Sequence, residues 1–85
     1  MDIDAQFRAL MDLAETLGLE IRSVSPLETQ GAGALVKIHN KEVLFLDFSA
    51  SVADRICLLA EALRGRDELQ QIYIIPELRR LIEAV

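Results

Sequence analysis

Few side chains in this chain have the type and placement to do chemistry: His39, Asp47, Cys57, Tyr73 and the Gly31-Ala32-Gly33 run. His39 is the sole histidine and is followed by Asn40, Lys41 and Glu42, so it is expected as a solvated residue beside a hairpin turn, not as a general base. A metal site needs several converging donors. With one histidine and one cysteine, carboxylates would have to supply the rest, and their spacing forms no calcium loop, so neither metal nor cofactor is expected. Cys57 stands alone, which excludes an intramolecular disulfide; beside an apolar helix stripe it is expected to be a buried, inert thiol in a reducing, cytoplasmic setting. No serine sits in a Gly-x-Ser-x-Gly elbow. The Gly31-Ala32-Gly33 run is a fragment of a dinucleotide fingerprint whose third glycine would fall at Val36, and it reads as a loop. Asp47, between Leu46 and Phe48, alternates onto the face of Val43 and Phe45, where a carboxylate must be paired or lie near the sheet rim. A helix N-terminus or an arginine such as Arg22 is the expected partner. None of these groups assembles a reaction, and the chain is expected not to be an enzyme.

The elements that would hold these groups follow from hydrophobic spacing. Phe7, Leu10, Met11, Ala14 and Leu17 recur at three- and four-residue intervals, which predicts a helix over 4–17, capped by Asp2 or Asp4 and closed by Gly18. Leu19 to Val24 alternates as an edge strand does, and Ser25-Pro26 stops it. Ser49 or Ser51 caps a second helix whose buried stripe is Val52, Ile56, Leu59, Ala60 and Leu63, leaving Asp54, Arg55, Glu61 and Arg64 for solvent. Arg66 to Gln71 reads as a polar connection with a helical turn capped by Asp67. Ile72 to Ile75 reads as a short strand or extended segment, and Pro76 starts a last helix with Leu78, Leu81, Ile82 and Val85 on one side. The whole predicts one α+β domain over 1–85: helix, three-stranded antiparallel meander, helix, short extended segment, helix.

The segment from Ala34 to Phe48 has the strongest consequence. Read as a hairpin about Asn40-Lys41, it pairs Val36 with Phe45 and Ile38 with Val43. One face then carries Val36, Ile38, Val43 and Phe45, and the other Leu35, Leu44, Leu46 and Phe48, with Lys37 the only polar member away from the turn. An antiparallel sheet with one wet face shows clean alternation of polar and apolar residues. Here both faces are apolar, so both call for cover, either from the chain's own helices or from a partner.

Composition agrees. Hydrophobic residues make up 52% of 85, a rich share for so short a chain, and the net charge of −5 with scattered basic residues disfavours nucleic acid and anionic membranes. The opening residues Asp2 and Asp4 do not resemble a secretory leader, and no uncharged stretch approaches the length of a membrane span. In order of elements, a helix, a three-stranded sheet and a helix after a serine-rich turn, the chain is similar to the front half of the small HExxH metallopeptidase domains. Setting Glu61 at that motif's glutamate puts Ala60 and Arg64 at its two histidines, so the resemblance implies a scaffold without the zinc ligands.

The expected function is thus a small soluble interaction module, pairing with a second copy or another protein through an apolar sheet face or helix. Leu35, Leu44, Phe45, Leu46 and Phe48 are the candidate interface residues. The alternative is a regulatory domain that binds a small molecule between the Gly31 to Gly33 loop, the sheet and Tyr73.

Overall fold

The computed structural model describes residues 2–24 and 33–84. Asp2 opens the first helix by accepting the Ala5 amide on its carboxylate at 2.7 Å, which satisfies one of the amides left free at a helix start. Helix α1 then runs over Ile3–Thr16, and Gly18, at φ +81°, turns the chain into strand β1, Glu20–Ser23. Strands β2, Gly33–Ile38, and β3, Lys41–Leu46, form the hairpin. Ser51 caps helix α2, Val52–Leu63, by accepting the Asp54 amide at 3.1 Å. A 3-10 turn at Asp67–Gln70 and helix α3, Pro76–Ala84, complete the order. The α+β class and the succession of elements are those read from the sequence.

Inside the sheet the connectivity differs from the expected meander. The strand order is β1-β3-β2, with β1 parallel to β3 and β2 antiparallel to it. Ser23 and Gly33 both pair with Leu46, from opposite sides, so the chain leaves one edge of the sheet and returns on the other at the same end. The physical reason lies in composition. Val43 to Leu46 is an unbroken apolar run and takes the centre, where a strand is covered by neighbours on both edges, while Glu20 and Arg22 in β1 and Lys37 in β2 tolerate the rim.

The turn also sits one residue earlier than expected, at His39-Asn40, with φ of 50° and 65°. A two-residue hairpin turn of this kind needs positive φ at both positions, which histidine and asparagine adopt more readily than Lys41 would. Moving the turn by one residue slides the pairing by two: Val36 faces Val43, and Leu35 faces Leu44. Because the side-chain period is two, each residue keeps the face it was assigned.

The three described α-helices pack on one face. Leu10, Leu44, Leu46, Leu59 and Leu63 are its fully buried centre, joined by Leu19, Ile56, Leu69, Ile74, Leu78 and Ile82. Leu78 and Ile82 place α3 in this same core, so it does not cross to the far side of the sheet. The segment from Ile72 to Ile75, expected as a strand or extended stretch, forms no strand: it bends at Ile72 and pairs with no described strand, while Ile74 anchors it in the core and Tyr73 points out at 82% exposure. Asp67 lies inside the 3-10 turn, not before it, and the turn has no side-chain cap. Val85, expected on the apolar side of α3, is outside the described residues. The Cα radius of gyration is 12.4 Å, close to the ~12 Å of a compact chain of this length.

Candidate interaction surface

The sheet face turned away from the helices carries Ala34, Val36 and Ile38 from β2, Val43 and Phe45 from β3, and Glu20 and Arg22 from β1. Its β1 side is closed by charge. Glu20 accepts Lys41 Nζ at 2.8 Å on one carboxylate oxygen and the Arg22 guanidinium on the other. The Lys41 hydrogen bond, then that of Arg22, holds the Glu20 carboxyl below the usual range. Val43, central and flanked by Glu20 and Val36, is buried although no described helix packs on that face. The β2 side stays apolar: Val36 is 39% exposed, Ile38 41%, and Leu35, on the helix side of the same edge, 42%.

The expected interface residues separate into three groups. Leu44 and Leu46 are fully buried beneath the helices, which removes them from any interface of the folded domain; alternation made them equivalent to Leu35, and only the position of β3 at the sheet's centre divides them. Phe45 is half-buried on the outer face. Phe48 is exposed but belongs to another cluster, edge-on to Phe7 with ring centroids 6.2 Å apart. The Arg55 guanidinium lies 4.7 Å from the Phe7 centroid and 5.3 Å from that of Phe48. Arg55, expected in solvent, is therefore half-buried, its Nε donating to the Ala50 carbonyl at 3.2 Å. Leu35 shares a shallow hollow with Leu58, Glu61 and Ala62 of α2. Val36 and Ile38 join the surface as residues the candidate set omitted. Their apolar character was legible, but their place on an edge strand was not.

The groups that could do chemistry lie apart. His39 is exposed in the turn. Asp47 is buried, and its Oδ1 accepts the Ser49 amide at 2.9 Å and the Ser49 hydroxyl at 2.6 Å, so its partner is its own loop and neither a helix end nor Arg22. Cys57, expected to be buried, is exposed, because it shares a helix face with Asp54, Glu61 and Arg64, opposite the stripe of Ile56, Leu59, Ala60 and Leu63. Among the described residues no group of three or more His, Cys, Asp or Glu side chains converges. No described helix is long and apolar enough to cross a membrane.

Two further sites have a bearing on binding. Gly31 and Ala32, part of the pocket expected near Tyr73, are outside the described residues, and Tyr73 itself stands in the open. A cavity of about 140 Å³ lies elsewhere, between the end of α2, the 3-10 turn and α3, lined by Arg66, Leu69, Ile74, Arg79 and Ile82 among others. Its edge is structural: Arg66 donates to both oxygens of Glu42 at 2.8 and 2.6 Å and through Nε to the Ala62 carbonyl at 2.8 Å, tying the hairpin to the end of α2. The Arg66 hydrogen bonds hold the Glu42 carboxyl below its ordinary value.

Comparison with protein-family models, with curated proteins and with solved structures gives no match. The functional reading therefore rests on geometry.

Proposed function

We propose that this chain is a non-enzymatic interaction module whose partner is a second copy of itself, held through the apolar surface that β2 presents. The observation that carries the reading is the cluster of Leu35, Val36 and Ile38 on one strand, each about 40% exposed, beside the half-buried Phe45. Burying a large aliphatic side chain completely is worth roughly 1.5 to 3 kcal/mol, so the exposed part of these three offers roughly 2 to 4 kcal/mol per copy. A symmetric pair doubles this, because the same patch contributes twice. Set against the entropy of association, the gain fits a weak, concentration-dependent dimer.

The candidate reacting groups support a non-catalytic role. Asp47 is taken up by its own loop, while His39 and Cys57 sit on separate elements. An exposed single thiol suits a reducing, cytoplasmic setting. Sedimentation equilibrium over a micromolar concentration series tests the proposal: the average mass is expected to climb from the 9.5 kDa of one chain toward twice that value. A constant single-chain mass throughout refutes it.

A further inference from the structure

We infer that the second copy docks edge to edge, β2 against β2 and antiparallel, centred on Leu35, so that two three-stranded sheets become one of six strands. This rests on the self-association proposed above and specifies its geometry.

The backbone of β2 carries groups that β3 does not take up. Ile38 and Lys41 flank a two-residue turn and therefore form a hydrogen-bonded pair, so Ile38, Val36 and Ala34 spend their amides and carbonyls on β3. The far edge of β3 obeys the same alternation, since the Leu46 carbonyl accepts the Val24 amide at 3.0 Å on the β1 side. Gly33, Leu35 and Lys37 are left with backbone groups aimed away from the sheet. No described strand flanks β2 on that side.

The edge is also self-complementary. A twofold axis beside Leu35 sets Leu35 opposite Leu35, and Lys37 of each copy opposite Gly33 of the other, where no side chain competes for space. The two lysines then lie about four residues, or ~13 Å, apart, beyond a physiological Debye length. On the helix side each Lys37 crosses toward the other copy's α2, where the exposed carboxylates of Asp54 and Glu61 flank Leu58. That is an attractive contact in a chain of net charge −5. The opposite edge is a poorer candidate: β1 has four residues and carries Glu20 and Arg22, and short, charged edges resist pairing.

Residue-resolved amide exchange above and below the dimerisation midpoint tests the geometry in the unmodified protein. The Leu35 and Lys37 amides are expected to gain roughly tenfold or more protection in the dimer, while Val36 and Ile38, already bonded to β3, change little. Leu35→Lys, which sets two cations face to face at the axis, is expected to raise the dissociation constant more than about tenfold with the circular dichroism of the monomer unchanged. A dimer that forms while the Leu35 and Lys37 amides exchange as in the monomer overturns edge pairing and leaves self-association standing. A chain that never dimerises overturns both.

Discussion

Gly33→Ala should damage this fold far more than a glycine substitution at a strand end ordinarily does. A Cβ built on Gly33 would lie 1.8 Å from the Phe45 carbonyl oxygen and 2.8 Å from its carbon, both backbone atoms of the central strand. The residue also sits at φ +142°, a region that L side chains rarely adopt. Holding an alanine in that region costs roughly 1 to 3 kcal/mol, and shifting the β3 carbonyl by more than an ångström adds the disturbance of a ladder bond, so about 2 to 4 kcal/mol in total is expected. A domain of this length is stable by roughly 4 to 13 kcal/mol, and each kcal/mol moves its melting temperature by about 4 to 8 °C. The melting temperature should therefore fall by roughly 8 to 32 °C. Gly18→Ala is the control: its φ is +81°, but no atom lies within 4 Å of the added Cβ. There the backbone penalty, partly offset by a stiffer unfolded chain, amounts to about 1 kcal/mol. Urea and thermal denaturation, followed by far-ultraviolet circular dichroism at dilutions that keep the chain monomeric, would measure both. A Gly33→Ala protein no less stable than Gly18→Ala refutes the close approach of β2 to Phe45.

Leu44→Ala should cost about 2 to 5 kcal/mol in urea unfolding, because the side chain is fully buried, whereas Leu35→Ala in the monomer should cost under about 1.5 kcal/mol; equal costs would mean that the core lies elsewhere. Glu42→Gln should remove a stabilisation of about 1 kcal/mol after allowance for solvent screening, since the Glu42 side chain is 39% exposed. The sign follows from its depressed carboxyl: the difference between wild type and variant should be fully present above the ordinary value of 4.5 and vanish as pH falls through the lower folded value, which pH-dependent denaturation would follow. Arg55→Ala should cost about 1 kcal/mol, with a coupling of about 0.5 kcal/mol or more to Phe48→Ala in a double-mutant cycle, because the guanidinium faces the Phe48 ring. Strictly additive losses would show that this contact is worth nothing.

Local structure was legible wherever the signal was local. The helix stop at Gly18 and the stripe of Ile56, Leu59, Ala60 and Leu63 are written in capping chemistry and 3.6-residue spacing, as are the helix starts to within a choice of two caps each, of which the structure takes Asp2 over Asp4 and Ser51 over Ser49. The places of Cys57 and Arg55 were harder to read. Cys57 adjoins the stripe in sequence but lies about 100° from Ile56 around the helix, and Arg55 is drawn in by two rings from distant segments. The expected interface was divided for a similar reason: Leu35 and Leu44 face each other across the hairpin on the same side of the sheet, yet one lines an edge and the other the centre.

By itself, then, the amino-acid order determined a small α+β chain and a hairpin apolar on both sides, because side-chain alternation and capping depend only on near neighbours. Tertiary structure decided which strand took the centre, which face the helices covered and which two strands, among the described residues, lie at the edges. Those outcomes depend on how β1, β2 and three helices compete to bury β3, and that competition is settled only when segments far apart in sequence meet.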